Sequence, residues 1–368
     1  MQCKYMSYMS YNVHSTFRTQ ACIFCVLTCW FTALRIVDSS ATPTPTPTPP
    51  TVPHGVFSLV PPGAPIKGAT LANPSVDGIS IRQAWADLEP SEGVFNWAYL
   101  DTEIGLARAA GKKVLLRIED GDLNIPPWVM NGMVTTFSYV DLNPYHPSYG
   151  STVTIPVFWD SYYLAKKTAM IAAVGASYTG NSAVKIACVG IANAYSDDWY
   201  VPHTSTNITN WRSDGYTSQK LIESCDAIID AVMAAFPNQV VVAAINPNGK
   251  LDQTADYASS TVITNERAKW GSRFVVAKNG LSATTPLAPS SGTWSVLYNA
   301  RPDVAGQMLW FCFGDTTYRM NGGVLADPAT VLGKSIDIGV SYGMKYIEIY
   351  QTDVINLPGV ISYAHSKL

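Results

Sequence analysis

Charge is in short supply in this chain. Its 368 residues hold 24 Lys and Arg against 27 Asp and Glu, a charged fraction of 14% and a formal net charge of −3. That balance leaves no electrostatic footprint for a polyanion and excludes nucleic acid as the expected partner. Histidine is scarcer still. His14, His54, His146, His203 and His365 show no ligand spacing, and His146 and His203 each adjoin a proline. Neither a metal site nor a cofactor is expected. Cysteine is present but unpatterned. Four of the seven (Cys3, Cys22, Cys25 and Cys29) fall in the first 41 residues, leaving Cys188, Cys225 and Cys312 for the folded part. An odd, unspaced set makes no disulfide framework and reads as buried thiols. No Gly-x-Ser-x-Gly elbow occurs, which argues against a serine hydrolase.

The N-terminal apolar run is also short. Ala21 to Leu34 (ACIFCVLTCWFTAL) is fourteen residues, where a bilayer takes roughly 20. It follows a polar stretch with Lys4 and Arg18, ends at Arg35, and precedes small residues at Ser39 and Ala41. Residues 1–41 therefore read as a signal peptide, with Met6 or Met9 as alternative starts, or as a membrane anchor. Either implies a secreted or cell-surface protein. Residues 42–54 open with TPTPTPTPPT, a tract that forms neither helix nor ladder and reads as a stiff linker. The folded domain is expected at 55–368.

Within that domain eight apolar runs alternate with helix-compatible segments. The runs are Val56–Val60, Gly78–Ile81, Lys113–Ile118, Lys185–Ile191, Gln239–Ile245, Arg273–Ala277, Gln307–Phe313 and Lys345–Tyr350. Helical spacing is clearest in Leu100–Ala110, Asp160–Val174, Gln219–Phe236 and Asp327–Gly339, with Gly111 and Gly339 as expected stops. Continuous apolar strands between helices indicate a parallel sheet buried on both faces, and eight units indicate closure. The expected fold is α/β, a single (β/α)₈ TIM barrel, which takes roughly 250 residues. An open doubly wound sheet competes, but Pro61-Pro62-Gly63 after the first strand is no phosphate loop.

In such barrels chemistry sits at the C-terminal ends of the strands. Here those ends carry Arg82, Trp85 and Glu89; Glu119, Asp120 and Asp122; Asn193, Asp197, Asp198 and Trp199; Asn246 and Asn248; Lys278 and Asn279; Asp315; and Glu348, Gln351 and Asp353. Carboxylates, amides and indoles on one rim suit carbohydrate, which needs polar contacts and flat apolar platforms. The supply of 10 Trp and 20 Tyr fits that use, although most such rings serve cores. Two carboxyl groups across an acetal also suit its hydrolysis.

Residues 78–118 carry a longer pattern. Trp85, Glu89-Pro90, Gly93, Phe95 and Trp97 precede Leu100-Asp101 and Gly111-Lys112, and Pro126-Pro127-Trp128 follows the third strand. This run resembles the barrel superfamily of retaining glycoside hydrolases, especially its β-galactosidase-like branch. The resemblance implies a barrel fold, a saccharide substrate and a pair of catalytic glutamates, one after an Asn ending strand 4 and one ending strand 7. Here Asn193 is followed by Ala194, and the only acid near the expected end of strand 7 is Asp315.

The catalytic candidates are therefore Asp198 or Asp197 as proton donor, with Glu348 or Asp315 opposite. Glu348 equally suits a structural ion pair with Arg82 or Arg117, and Asp315 a turn. Substrate-binding candidates are Arg82, Trp85, Glu119, Trp128, Asn193, Trp199, Asn279 and Gln351. Two functions stay open: an exported glycoside hydrolase, or a barrel that binds carbohydrate without cutting it. Asn207-Ile208-Thr209 is one glycosylation acceptor.

Overall fold

The computed structural model describes residues 50–195 and 198–368. The leader, most of the Thr-Pro tract and Asp197 lie outside the described residues. Among the described residues there are ten strands: β1 Gly55–Leu59, β2 Gly78–Ala84, β3 Lys113–Glu119, β4 Thr136–Val140, β5 Thr152–Pro156, β6 Val184–Val189, β7 Val240–Ala244, β8 Phe274–Leu281, β9 Val304–Met308 and β10 Met344–Tyr350. Eight close a barrel in the order β1-β10-β9-β8-β7-β6-β3-β2, every neighbouring pair parallel. The expected TIM barrel is thus observed, with β4 and β5 added as an antiparallel hairpin before the helix Ser161–Tyr178.

Helices begin where the sequence supplies oxygen caps. The Asp160 carboxylate accepts from Tyr163 N before the helix Ser161–Tyr178, Thr217 from Lys220 N before Ser218–Ala235, and Asp327 from Thr330 N before Pro328–Ser341. Each satisfies a donor the first turn leaves without a partner. Gly111 follows the helix Ala98–Ala109 at φ +69, as a helix stop requires. Gly339 is no stop. The last of these helices runs past it, and a Cβ there would lie 2.6 Å from Ile347 Cδ1, so the glycine lets helix and β10 approach.

Alternation along the strands sorts the interior into layers. Phe57, Leu115, Ile186, Val240, Val275, Ala305 and Tyr346 form the apolar part of the barrel interior. Val52, expected in the linker, joins this cluster and is 8% exposed, so the folded region begins slightly before residue 55. Two residues further along their strands, Arg117, Gln307 and Glu348 replace apolar side chains. The interior turns polar toward the mouth.

The hairpin lies against the helix Ser205–Ser213. Phe137 stacks on Trp211 with centroids 3.5 Å apart and planes 2° from parallel, and Tyr139 Oη donates to the Ala194 carbonyl at 3.1 Å. Asn207 of the expected glycosylation acceptor sits in that helix and is 6% exposed. Among the described residues no helix is long and apolar enough to cross a membrane.

Candidate active site

The polar layer centres on Arg117, buried on β3. Its Nη2 donates to Glu348 Oε1 at 2.9 Å, its Nη1 to Gln307 Oε1 at 2.8 Å, and its Nε to Cys188 Sγ at 3.0 Å while standing 3.4 Å from Asp198 Oδ2. Asn279 Nδ2 donates to Asp198 Oδ2 at 3.3 Å. Beside this group Arg82 meets Glu119 Oε1 at 3.3 Å and donates from Nε to the Val60 carbonyl. Glu348 Oε2 and Glu119 Oε2 have no hydrogen-bond partner among the described residues.

Two guanidinium groups face three carboxyl groups in a space that excludes water. The charges balance when one carboxyl keeps its proton. Asp198 is that group: burial raises its pKa from the usual 3.8 to about 7, Glu119 and Glu348 push the same way, and Arg117 and Asn279 pull back only in part. Glu119 is also raised by burial, against the pull of Arg82 and Arg117. Asp198 has φ +64, a region that costs a non-glycine residue free energy and is concentrated at functional sites.

Above this layer the mouth opens into a cleft of about 270 Å³. Asn279 and Gln307 form part of its wall, and their other contacts reach down to Asp198 and Arg117. Arg82, Lys278 and Arg319 supply cationic groups, and Tyr145, Tyr195, Trp310 and Tyr350 supply rings. No aspartate or glutamate lines the cleft among the described residues. On one side His146 Nδ1 lies 2.5 Å from Asp141 Oδ2, its ring 4.6 Å from that of Tyr195, whose hydroxyl also bonds Asp141. Among the described residues no group of three His, Cys, Asp or Glu could hold a metal ion.

The expected site residues divide. Asp198, Glu348, Glu119, Arg82 and Asn279 converge, but only Arg82 and Asn279 reach the cleft wall; the three acids are 1–2% exposed. Asp315 does not converge. Strand β9 ends at Met308, earlier than the sequence suggested, so the inward residue near its end is Gln307. Asp315 instead shapes a turn, accepting from Thr317 N, Thr317 Oγ1 and Arg319 N. Burial pushes its pKa up, but those bonds outweigh burial and hold it below the ordinary value.

The remaining substrate candidates are structural. Trp85 is fully buried and donates to Glu89 Oε2 at 2.7 Å, Trp128 Nε1 donates to the Glu89 carbonyl, and Trp199, also fully buried, donates to Asn248 Oδ1. Their indole N–H groups are satisfied inside the protein, as burial of such rings demands. Asn193 bridges Asp120 Oδ1 and Tyr195 N, and Gln351 Oε1 accepts from Lys67 N and Thr70 Oγ1. Sequence reading missed Tyr145, His146, Tyr195, Trp310 and Arg319. The available signal for the first two was the alternation of Thr136–Val140 and Thr152–Pro156 around a turn-rich DLNPYHPSYG segment, which marks a hairpin.

Comparison with known proteins supports this architecture. Residues 71–227 match the family model described as β-galactosidase. The matched stretch is less than half of the chain and includes the run from Trp85 to Trp97. Among solved structures the chain is similar to the catalytic domain of a β-amylase from Paenibacillus polymyxa, at 14% identity and a TM-score of 0.58 over 85% of this chain and 98% of that one. It is also similar to a cold-adapted β-galactosidase from Rahnella sp. R3, at 10% identity and a TM-score of 0.52, covering 86% of this chain but 57% of that longer one. At such identities the likeness speaks to the fold. No curated protein matches the sequence. Where the resemblance implies catalytic glutamates, Asn193 is followed by Ala194, and the strand Val304–Met308 contains no glutamate.

Proposed function

We propose that this chain is an exported glycosidase that holds a saccharide in the mouth cleft and uses Asp198 as proton donor, with Glu348 as its partner carboxyl. The observation that carries the reading is the state of Asp198. A general acid must keep its proton near neutral pH, and a pKa of about 7 meets that need. The cleft wall supports the substrate class, because rings offer stacking faces and Asn246, Asn279 and Gln307 offer the paired donors and acceptors that hydroxyls require. For export, the short apolar run at 21–34 and the Thr-Pro tract remain the support.

A second reading, binding without cleavage, is favoured by one specific fact. Both acids lie behind Asn279 and Gln307 and are engaged by Arg117. A panel of aryl glycosides and polysaccharides, assayed with the wild type, Asp198→Asn and Glu348→Gln, separates the two. Turnover by the wild type that falls 100-fold or more in both variants, on the scale of removing a general acid (roughly 10²–10⁴), supports the glycosidase. Saccharide binding with no turnover on any substrate leaves the binding barrel. Turnover that survives both substitutions removes these two acids from the chemistry.

A further inference from the structure

We propose that the cleft recognises an acidic saccharide, one bearing a carboxylate or sulfate group, and that Arg319 is the residue that reads the negative charge. The inference rests on the saccharide reading of the cleft and specifies which class of saccharide it takes.

The arginines of the mouth differ in what neutralises them. Arg82 and Arg117 each face a buried carboxylate. Arg319 lines the cleft and makes no ion pair among the described residues. Its guanidinium carbon lies 4.2 Å from the centre of the Tyr145 ring and 5.0 Å from that of Trp310. Rings fix the direction of a guanidinium without cancelling its charge. Tyr145 comes from the hairpin loop and Trp310 from the segment after β9, so two separate elements hold one cation at the cleft wall.

The segment carrying Arg319 is shaped for this. Asp315, the acid in its own turn, feels the Arg319 charge without pairing with the guanidinium, because its oxygens are taken by the turn: Oδ1 takes Thr317 N and Thr317 Oγ1, and Oδ2 takes Arg319 N. Tyr318, immediately before the arginine, is held at φ +51, a strained conformation for a residue with a side chain. No aspartate or glutamate lines the cleft among the described residues to repel an anion. A neutral sugar needs none of this. An anionic ring substituent meets a fork of N–H donors that suits carboxylate and sulfate oxygens.

The test is isothermal titration of the full chain with three tetrasaccharides of equal length: neutral galactose, galacturonate and sulfated galactose. The expected result is that at least one acidic tetramer binds roughly 10- to 100-fold more tightly than the neutral one, the value of a hydrogen bond to a charged group. That advantage should shrink with added salt and vanish in Arg319→Gln while neutral binding persists. The two acidic arms distinguish a carboxylate ligand from a sulfate one. Arg319→Lys keeps the charge and should retain part of the preference, which keeps the test informative if the Gln variant fails to fold.

Equal binding of neutral and acidic tetramers overturns the inference and leaves the saccharide reading intact. An acidic preference unchanged in Arg319→Gln overturns the assignment to Arg319. Absence of binding by all three overturns both readings.

Discussion

Replacing Asp198 with Asn separates the charge of this residue from its shape. In the folded protein the carboxyl holds its proton to about pH 7, whereas the unfolded chain releases it near the ordinary 3.8. Between those values the folded state binds more protons than the unfolded state, so stability falls as pH rises. For a carboxyl this fully buried, the gap corresponds to on the order of 4 kcal/mol lost between about pH 4 and pH 7. Asn cannot ionise, and its amide oxygen can still accept from Asn279 and stand beside Arg117.

The variant should therefore unfold in urea with nearly the wild-type midpoint at pH 4 and with a higher one at pH 7.5. Other acids titrate in the same range, including Glu266 and Asp353, whose pKa values burial raises to about 7 and about 6. They contribute equally to both proteins and cancel in the difference. Parallel stability curves for wild type and variant across that range would refute the assignment of the proton to Asp198. A variant more stable at neutral pH yet without turnover would fit a group strained for function rather than for folding.

Two further outcomes follow from the packing around the mouth. A Cβ on Gly121 would lie 1.4 Å from the Tyr195 carbonyl oxygen, so Gly121→Ala should destabilise by about 1–3 kcal/mol or more, read as a lower urea midpoint, and should disturb the Tyr195 side of the cleft. Trp211→Ala removes a buried indole stacked on Phe137; a loss of roughly 3–5 kcal/mol is expected, with limited proteolysis cutting first in the hairpin loop at residues 143–149.

The barrel was legible because buried parallel strands are apolar on both faces, and most of the expected runs lie within a few residues of the observed strands. The exception is instructive. The sequence around the seventh barrel strand is most apolar at Leu309–Phe313, yet the strand is Val304–Met308. That strand is small on its outer face, where Gly306 packs against Met344 and a Cβ would come within 2.4 Å of Sδ, and polar inside, where Gln307 serves Arg117. The apolar residues after it belong to the mouth, with Trp310 lining the cleft. Apolar periodicity reports burial, and here burial by a loop resembled burial in a strand.

Local chemistry was enough to establish the eight barrel strands, where several helices start and which end of the barrel is polar, since caps and periodicity act over a few residues. What the polar residues do was settled only by closure of the sheet. Glu348 and Arg117 are 231 positions apart in the chain and meet across the barrel. Trp85 and Trp199 look like sugar platforms in one dimension and prove to be internal posts in three. Whether a strand-end carboxyl faces solvent, substrate or a guanidinium depends on neighbours contributed by other strands, and no local pattern encodes them.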